Sequence, residues 1–222
     1  ISQCEVLFTR ALQKKAKSVS LLTSDDDYGL TFWDWFSFQA KELGLEVKSM
    51  EKYTSENVTQ KMKSLMEEDV DCVICIPSEN SITLRMNEVR LASKSAKPFL
   101  LFSDVAFMSG AGASMEGMEG IVLTHDPATG FHIAYEVRFG EEPKYGSAHY
   151  YDAVISAGLG ILEADLTGES NINNALCRIV EGEGEEICCS STENVNRFVS
   201  AIIAGKYPHL SGASGKLRFD KS

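Results

Sequence analysis

Polar and aromatic side chains follow three of the apolar runs that have the pattern of β-strands in this 222-residue chain. Hydroxyls, carboxylates and a phenol ring are the groups that orient a small polar molecule in a pocket. In an open α/β sheet such pockets lie at the carboxyl ends of the strands. The sequence therefore predicts a site that binds a small polar ligand without covalent chemistry. The candidate residues are, in chain order, Ser24, Asp27, Tyr28, Pro77, Ser78, Glu79, Ser103 and Asp104.

Several of these residues also suit a purely structural role. Ser24, Ser78 and the aspartates of the first loop are good helix caps or first-turn acids, and for any one of them capping is favoured over ligand binding. Tyr28 can either pack or present its ring or hydroxyl to a cleft. The carboxylates of Asp25–Asp27 are adjacent and diverge, and no D-x-D-x-D-G loop is present. No metal or other cofactor is therefore predicted.

The motifs of the common catalytic sites are missing from the sequence. It has no G-x-S-x-G elbow, no P-loop and no G-x-G-x-x-G turn between a strand and a helix. Cys72 and Cys75 form a C-x-x-C pair inside a strand pattern, which favours packing over redox chemistry. Cys177 and the pair Cys188–Cys189 flank an acidic loop, and either a disulfide or free thiols fit that arrangement. The chain is predicted not to be an enzyme.

The composition argues against other classes of function. The formal net charge of -11 excludes nucleic acid as an expected partner, because binding to phosphates depends on Lys and Arg. No apolar run approaches the roughly 20 residues that a membrane-spanning helix needs. The chain begins without Met or a basic targeting segment. We therefore expect a fragment, with any secretion signal or lipid anchor lying upstream.

Helices and strands alternate over the first 126 residues. This alternation predicts an α/β fold with right-handed crossovers and a Rossmann-like, doubly wound, mostly parallel sheet of expected order 2-1-3-4-5. In that order the ligand crevice lies between strands 1 and 3, so that Ser24–Tyr28 would face Pro77–Asn80. The predicted helices are 4–14, 30–43, 57–67 and 80–93, and the predicted strands are 18–23, 45–53, 72–76, 98–102 and 120–124.

The pattern changes after Pro127 to helices with few strands between them. Such a segment lacks a sheet of its own to cover, so we expect part of Tyr150–Leu210 to pack on a missing companion lobe or a second chain. We therefore divide the chain into a ligand-binding lobe, 1–145, and an appended helical segment, 146–222. The predicted helices are 128–139, 149–163, 171–180 and 194–204, followed by a β-type piece at 216–219.

Four motifs occur in a fixed order from about Lys17 to Asp220. They are SVSLL followed by Asp27-Tyr28-Gly29, then Glu119-Gly120-Ile121-Val122, then Tyr151-Asp152-Ala153-Val154, and finally G-x-x-G-x-x-x-F-D from Gly212 onward. In this order and spacing they resemble the second lobe and C-terminal part of type I periplasmic binding proteins of the branched-chain amino acid receptor group. Each motif is weak alone, and the order of the four makes the resemblance specific.

The resemblance implies a Venus-flytrap receptor in which two lobes close on a small solute. Hinge crossings are then expected near Glu142–His149 and Leu210–Ser214. By position, the resemblance also implies that Tyr28, the Pro77–Glu79 loop and Glu119 contact the ligand, with Glu119 matching an acid that holds the ammonium group of an amino acid. A capping or solvated role for Glu119 fits equally well.

Two departures from the family leave the ligand open. The family's first lobe has no counterpart in this sequence, and the acidic loop between Cys177 and Cys189 is not part of the general pattern. The leading hypothesis is a periplasmic or otherwise extracytoplasmic receptor lobe, with or without a lipid anchor. Its expected partners are an amino acid-like solute, the first lobe or a partner chain, and transporter membrane subunits. The alternative is an interaction or sensor domain of a surface lipoprotein that has lost small-ligand binding.

Overall fold

The chain folds into two compact units, Ile1–Val122 and Leu123–Ser222. The computed structural model describes residues 2–93, 97–107 and 115–218. Each unit has its own clusters of buried apolar residues, as expected for units that bury separate cores. The predicted division into a ligand-binding lobe, 1–145, and a helical segment that packs on another lobe, 146–222, stays a prediction.

The first unit is built around a four-stranded, all-parallel sheet. The elements of this unit are α1 (Ser2–Gln13), β1 (Ser18–Ser24), α2 (Asp27–Glu42), β2 (Glu46–Tyr53), α3 (Val58–Met66), β3 (Cys72–Ile76), α4 (Asn80–Ala92) and β4 (Phe99–Phe102). The strand order is β2-β1-β3-β4, with β1 and β3 paired on both sides. This confirms the predicted doubly wound α/β fold over these four strands.

The predicted fifth strand, 120–124, is reduced to a single bridge. Gly120 pairs in parallel with Phe102 at the expected edge of the sheet. Phe102 is the last residue of β4, a strand of only four residues. The residues after Gly120 therefore have no further part of β4 with which to pair. Ile121 N donates to the Phe102 carbonyl at 3.0 Å. This bond ties the segment to the sheet without forming a strand.

Helices cover both faces of the sheet, because its two central strands, β1 and β3, are buried on both sides. Every residue of β1 and β3 is buried. On one face α1 packs against α2 and the sheet, with 4.9 Å between the ring centroids of Phe8 and Phe36. On the other face α3 and α4 contribute Met62 and Met86 to a second cluster. The two helical layers leave the ends of the strands uncovered for loops.

Asp71, just before β3, joins the starts of two neighbouring strands. Its carboxylate accepts from the amide of Lys17 at 2.8 Å and that of Ser18 at 3.3 Å, and it pairs with Lys97 at 2.6 Å. The hydrogen bond from Lys97, then that from the Lys17 amide, lowers the pKa of Asp71 to about 2. Asp71 therefore fixes where β1 begins relative to β3.

The second unit contains a small sheet, in addition to the predicted helices, that the sequence analysis missed. β5 and β6 are parallel, and β6 and β7 are antiparallel. The first two strands are short, and β6 carries Ser and Gly in place of β-branched residues. The elements are α5 (Phe131–Phe139), α6 (Ser147–Thr167), α7 (Ile172–Val180), β5 (Glu186–Cys188), α8 (Thr192–Ile203), β6 (His209–Gly212) and β7 (Gly215–Lys216).

Asp152 on α6 holds the hairpin between β6 and β7. One carboxylate oxygen accepts from the amide of Ala213 at 2.6 Å, and the other accepts from the amide and hydroxyl of Ser214 at 2.8 and 2.6 Å. A Cβ on Gly212 would overlap this carboxylate, so the close approach requires glycine. The motif Tyr151–Val154 and the motif that begins at Gly212 therefore meet in one structural contact.

Replacing Gly212 with Ala should destabilise the second unit, because the added methyl group must displace the buried carboxylate of Asp152. We expect the free energy of unfolding to fall by about 1–3 kcal/mol, the scale of a buried polar group left without partners. Gly158→Ala is the matched control, since a Cβ there meets nothing within 4 Å inside α6 and should stabilise by about 0.5–1 kcal/mol. Urea unfolding measures both, and equal effects would contradict the contact.

The low pKa of Asp71 predicts sensitivity to acid. An unfolded Asp titrates near ~3.9 and the folded one near about 2. The carboxylate therefore stabilises the fold above its unfolded pKa, and this contribution is lost as the pH falls from about 5 toward 2. Asp71→Asn should lower the melting temperature at pH 7 and flatten its dependence on pH over that window. Asp34→Asn, at an exposed position on α2, controls for the lost charge, and identical profiles for the two variants would contradict this role.

Candidate functional site

The connection from β1 to α2 positions three predicted site residues, Ser24, Asp27 and Tyr28. α2 begins at Asp27, three residues earlier than predicted, because Asp26 caps it. The Asp26 Oδ1 atom accepts from the Ser24 hydroxyl and from the Gly29 amide, both at 2.8 Å. Ser24 is buried and takes part in this cap, whereas Asp27 is exposed in the first helical turn.

Tyr28 links the ends of two strands that are not neighbours. Its hydroxyl donates to Asp104 Oδ1 at 2.5 Å, and its ring lies edge-on to Phe32 with 5.2 Å between centroids. Asp104 is buried in a one-turn 3₁₀ helix after β4. Because β3 lies between β1 and β4 in the sheet, the Tyr28 side chain spans the carboxyl end of β3. The structure thus brings two of the predicted residues together.

Ser103 adds an unsatisfied hydroxyl beside Asp104. The residue is fully buried, and its Oγ has no hydrogen-bond partner among the described residues. Its amide donates to the Cys75 carbonyl at 3.0 Å, which fixes its backbone against β3. Native proteins pair most buried hydroxyls, since an unpaired one costs about 1–3 kcal/mol. The Ser103 hydroxyl is therefore a buried polar group without a partner among the described residues, and its contact with a ligand stays a prediction.

Ser103 also lines a cavity of about 240 Å³ at the edge of the sheet beyond β4. Most of the other lining side chains are apolar, among them Phe107, Met115 and Met118. Glu119 is the one charged residue among those that line it. The cavity offers a polar group and an apolar wall within one small volume.

The Pro77–Glu79 loop follows β3 at the same edge. Pro77 is buried and Ser78 is exposed. The Ser78 amide donates to the hydroxyl of Tyr53 at 2.8 Å, and that hydroxyl donates to the Ile76 carbonyl at 3.2 Å. Burial raises the pKa of Tyr53. Glu79 is exposed at the N-cap position of α4, where it accepts from the hydroxyl of Ser81.

Glu119 is engaged by two cations, one in α1 and one directly after it. Its carboxylate pairs with Arg10 and with Lys14. The hydrogen bond from Lys14, the largest cause, and that from Arg10 lower the pKa of Glu119. A ligand ammonium would therefore have to compete with these side chains, and the predicted contact between Glu119 and a ligand stays a prediction.

Two residues at this edge were missed by the sequence analysis. Tyr53 supports the loop after β3, and Asp26 was considered only as one of three equivalent acids. The spacing of Asp26 three residues before Gly29 was a usable signal for the cap. Nothing local marks Tyr53, because its partners at Ile76 and Ser78 are more than twenty residues away.

The described residues contain no cluster of three or more His, Cys, Asp or Glu side chains arranged to hold a metal. Asp25 pairs with Lys52 at 3.1 Å and Asp26 caps α2. Cys72 and Cys75 are buried within β3, and desolvation by burial strongly raises the pKa of each thiol. Such thiols are poor nucleophiles. Cys177, Cys188 and Cys189, for which both states were open, are free thiols in the structure.

None of the described helices is both long enough and apolar enough to cross a bilayer.

No family model and no curated protein matches this chain, but solved structures do. A leucine-binding protein from Thermotoga maritima matches with 18% identity and a TM-score of 0.66, covering 99% of this chain and 58% of that one. A fatty acid ABC transporter substrate-binding protein from Thermomonospora curvata matches with 17% identity and a TM-score of 0.58, covering 78% and 49%. A solute-binding protein from R. palustris in complex with benzoate has 15% identity and a TM-score of 0.56, covering 80% and 52%.

These neighbours are type I periplasmic binding proteins, so the resemblance seen in the four motifs is confirmed at the level of the fold. The chain spans only about half to three fifths of the length of each neighbour. The likeness extends over nearly all of this chain in the T. maritima protein. The likeness in fold therefore extends to both units.

Removing single hydroxyls should distinguish Ser103, whose hydroxyl has no partner among the described residues, from Tyr28, whose hydroxyl is bonded within the protein. Ser103→Ala removes a buried hydroxyl that has no partner among the described residues, so we expect the free energy of unfolding to stay the same or to rise, by up to about 1–3 kcal/mol. Tyr28→Phe keeps the contact with Phe32 but takes a donor from the buried Asp104, and we expect a loss of about 1–3 kcal/mol. Chemical denaturation measures both. A loss for Ser103→Ala as large as that for Tyr28→Phe would show that the Ser103 hydroxyl is bonded within the protein.

Proposed function

We propose that this chain is a solute-binding part of an extracytoplasmic receptor with the type I periplasmic binding protein fold. One observation carries the proposal. At the carboxyl edge of a single parallel sheet, the bond between Tyr28 and Asp104 lies next to the unpartnered hydroxyl of Ser103. Open α/β sheets bind ligands at this edge. Prepositioned polar groups of this kind suit a small polar solute such as an amino acid.

Binding without catalysis fits the groups at this edge. A catalytic serine needs a base within hydrogen-bond reach, and Ser103 Oγ has no partner of any kind among the described residues. The Tyr28 hydroxyl donates a hydrogen bond to the carboxylate of Asp104, which is itself buried. The edge supplies hydrogen bonds and shape, which is sufficient for recognition and release of a solute.

Closure over the solute requires a second surface, which we propose comes from a first lobe or a partner chain. In the second unit, Tyr150, Val154 and Ile161 share one face of α6 and are 73%, 72% and 62% exposed. Apolar stripes exposed to this extent mark surfaces that another polypeptide covers. The neighbour from T. maritima has further chain beyond the region matched here, and a segment of that kind is the proposed cover.

The remaining parts of the proposal follow from the neighbours. Two of them are solute-binding proteins of ABC transporters by their names, so we propose transporter membrane subunits as partners and a periplasmic or extracytoplasmic location. Attachment by a lipid anchor belongs to the same proposal. The solutes of the neighbours differ from one another, so the specific solute here is for experiment to identify.

A second function is favoured by the internal pairing of the charged groups. Tyr28 already bonds Asp104, and Glu119 already pairs with Arg10 and Lys14. A lobe that no longer binds solutes would also keep acids that are bonded within the protein, because those bonds stabilise the fold. In that case the exposed face of α6 would carry the function, as an interaction or sensor domain of a surface lipoprotein.

Thermal-shift screening against amino acids, small amides and organic acids distinguishes the two functions. The receptor function predicts a rise of several degrees with one ligand class, since a ligand that binds only the folded state stabilises it. The protein should carry its first lobe where a longer natural chain exists. Ser103→Ala should reduce this rise without lowering the melting temperature of the ligand-free protein.

Ser37→Ala is the matched control for that variant, because it removes an exposed hydroxyl from α2 in the same unit. It should keep the full ligand-induced rise. Absence of a rise with every compound tested would favour the interaction domain. A rise that survives both Ser103→Ala and Tyr28→Phe would place the solute site away from this edge.

A further inference from the structure

The second unit contains a separate cavity of about 380 Å³ beside α6, α7 and the residues that follow β7. Its walls are mostly hydrocarbon, including Ala157, Leu176 and Leu217. The volume falls in the range of small-molecule sites, about 300–1,000 Å³. All of its lining residues belong to the second unit, so the cavity is distinct from the edge of the first sheet.

Arg218 gives this apolar cavity a cationic group. The residue lines the cavity and is exposed. Among the described residues, no carboxylate is paired with it and no hydrogen bond involves it. A guanidinium presents paired N–H donors in a plane, which match the oxygens of a carboxylate or a phosphate. Because the rest of the wall is mostly hydrocarbon, an anion with an apolar body, such as a monocarboxylate, fits this cavity better than a phosphate does.

Two further polar residues of the cavity fit this assignment. Asp152 contributes a negative charge, but its two oxygens already accept from the Ala213 amide and from the amide and hydroxyl of Ser214. Those three donors offset its repulsion of an anion. His149 has a buried Nδ1 with no hydrogen-bond partner in the part of the chain that the structure describes. A ligand, or a water held by it, would supply the partner that this nitrogen lacks.

We propose that this cavity is a second solute site, for a small monocarboxylate with an apolar body. The carboxylate pairs with Arg218, and the hydrocarbon part packs on Ala157, Leu176 and Leu217. Neutral amides of the same shape lose the charge-assisted bonds, and amino acids would bring an ammonium group into an apolar wall. The site goes beyond the proposed solute site of the first unit and does not depend on it.

Isothermal titration with hexanoate, phenylacetate and their amides tests the proposal on the purified chain. We expect the carboxylates to bind at least tenfold more tightly than the amides. Arg218→Ala should weaken carboxylate binding at least tenfold without affecting the fold, since the side chain is exposed. Ala157→Leu should abolish binding by filling the cavity while the cation stays in place.

Arg138→Ala is the matched control, because it removes one exposed cation of α5 in the same unit but outside the cavity. It should leave carboxylate binding unchanged. Equal loss in Arg138→Ala and Arg218→Ala would mean that only net charge matters, and it would overturn the site. So would the absence of carboxylate binding at millimolar concentration to a chain shown by circular dichroism to be folded. Binding lost in Tyr28→Phe but kept in Arg218→Ala would assign the carboxylate to the first unit instead.

Discussion

The tight connection between β1 and α2 is the constraint on which the edge of the first sheet depends. Gly29 lies so close to Ser24 that a Cβ would overlap the Ser24 carbonyl. The Asp26 cap then starts the helix after a connection of two residues, Asp25 and Asp26. Because this connection is so short, Tyr28 lies in the first helical turn, close to the end of β1. From there its hydroxyl reaches Asp104 across β3.

This geometry also decides which groups are left for a solute. Asp26 is committed to the cap, Asp104 accepts from Tyr28, and Glu119 is paired with α1. Of the acids predicted as ligand contacts, Asp104 and Glu119 are therefore bonded within the protein, whereas Asp27 is exposed. The Ser103 hydroxyl is the buried side-chain group of the described edge without a partner. In the proposed function, selection of a solute then depends on that hydroxyl, on backbone groups and on the surface that closes over the edge.

More of the fold than of the candidate site could be predicted from the sequence. The apolar run Cys72–Ile76 was predicted at its observed bounds because it is buried on both faces and flanked by acids. The strands β5 and β6 could not be, since they carry three and four residues without a β-type pattern. Tyr28 and Asp104 were each predicted as site residues, but the bond between them could not be, because 76 positions separate them and only the strand order brings them together.

The motifs that carried the family resemblance turn out to maintain the architecture. Gly29 allows the close start of α2, and Asp152 and Gly212 form one contact that holds the β6–β7 hairpin. These contacts fix backbone geometry, and the neighbours that share the fold are named for solutes as different as leucine, fatty acids and benzoate. Ser103, which we propose contacts the solute, lies between these motifs and carries no sequence pattern of its own. The motifs that make the fold recognisable in the sequence therefore report backbone geometry, and they do not indicate which ligand is bound.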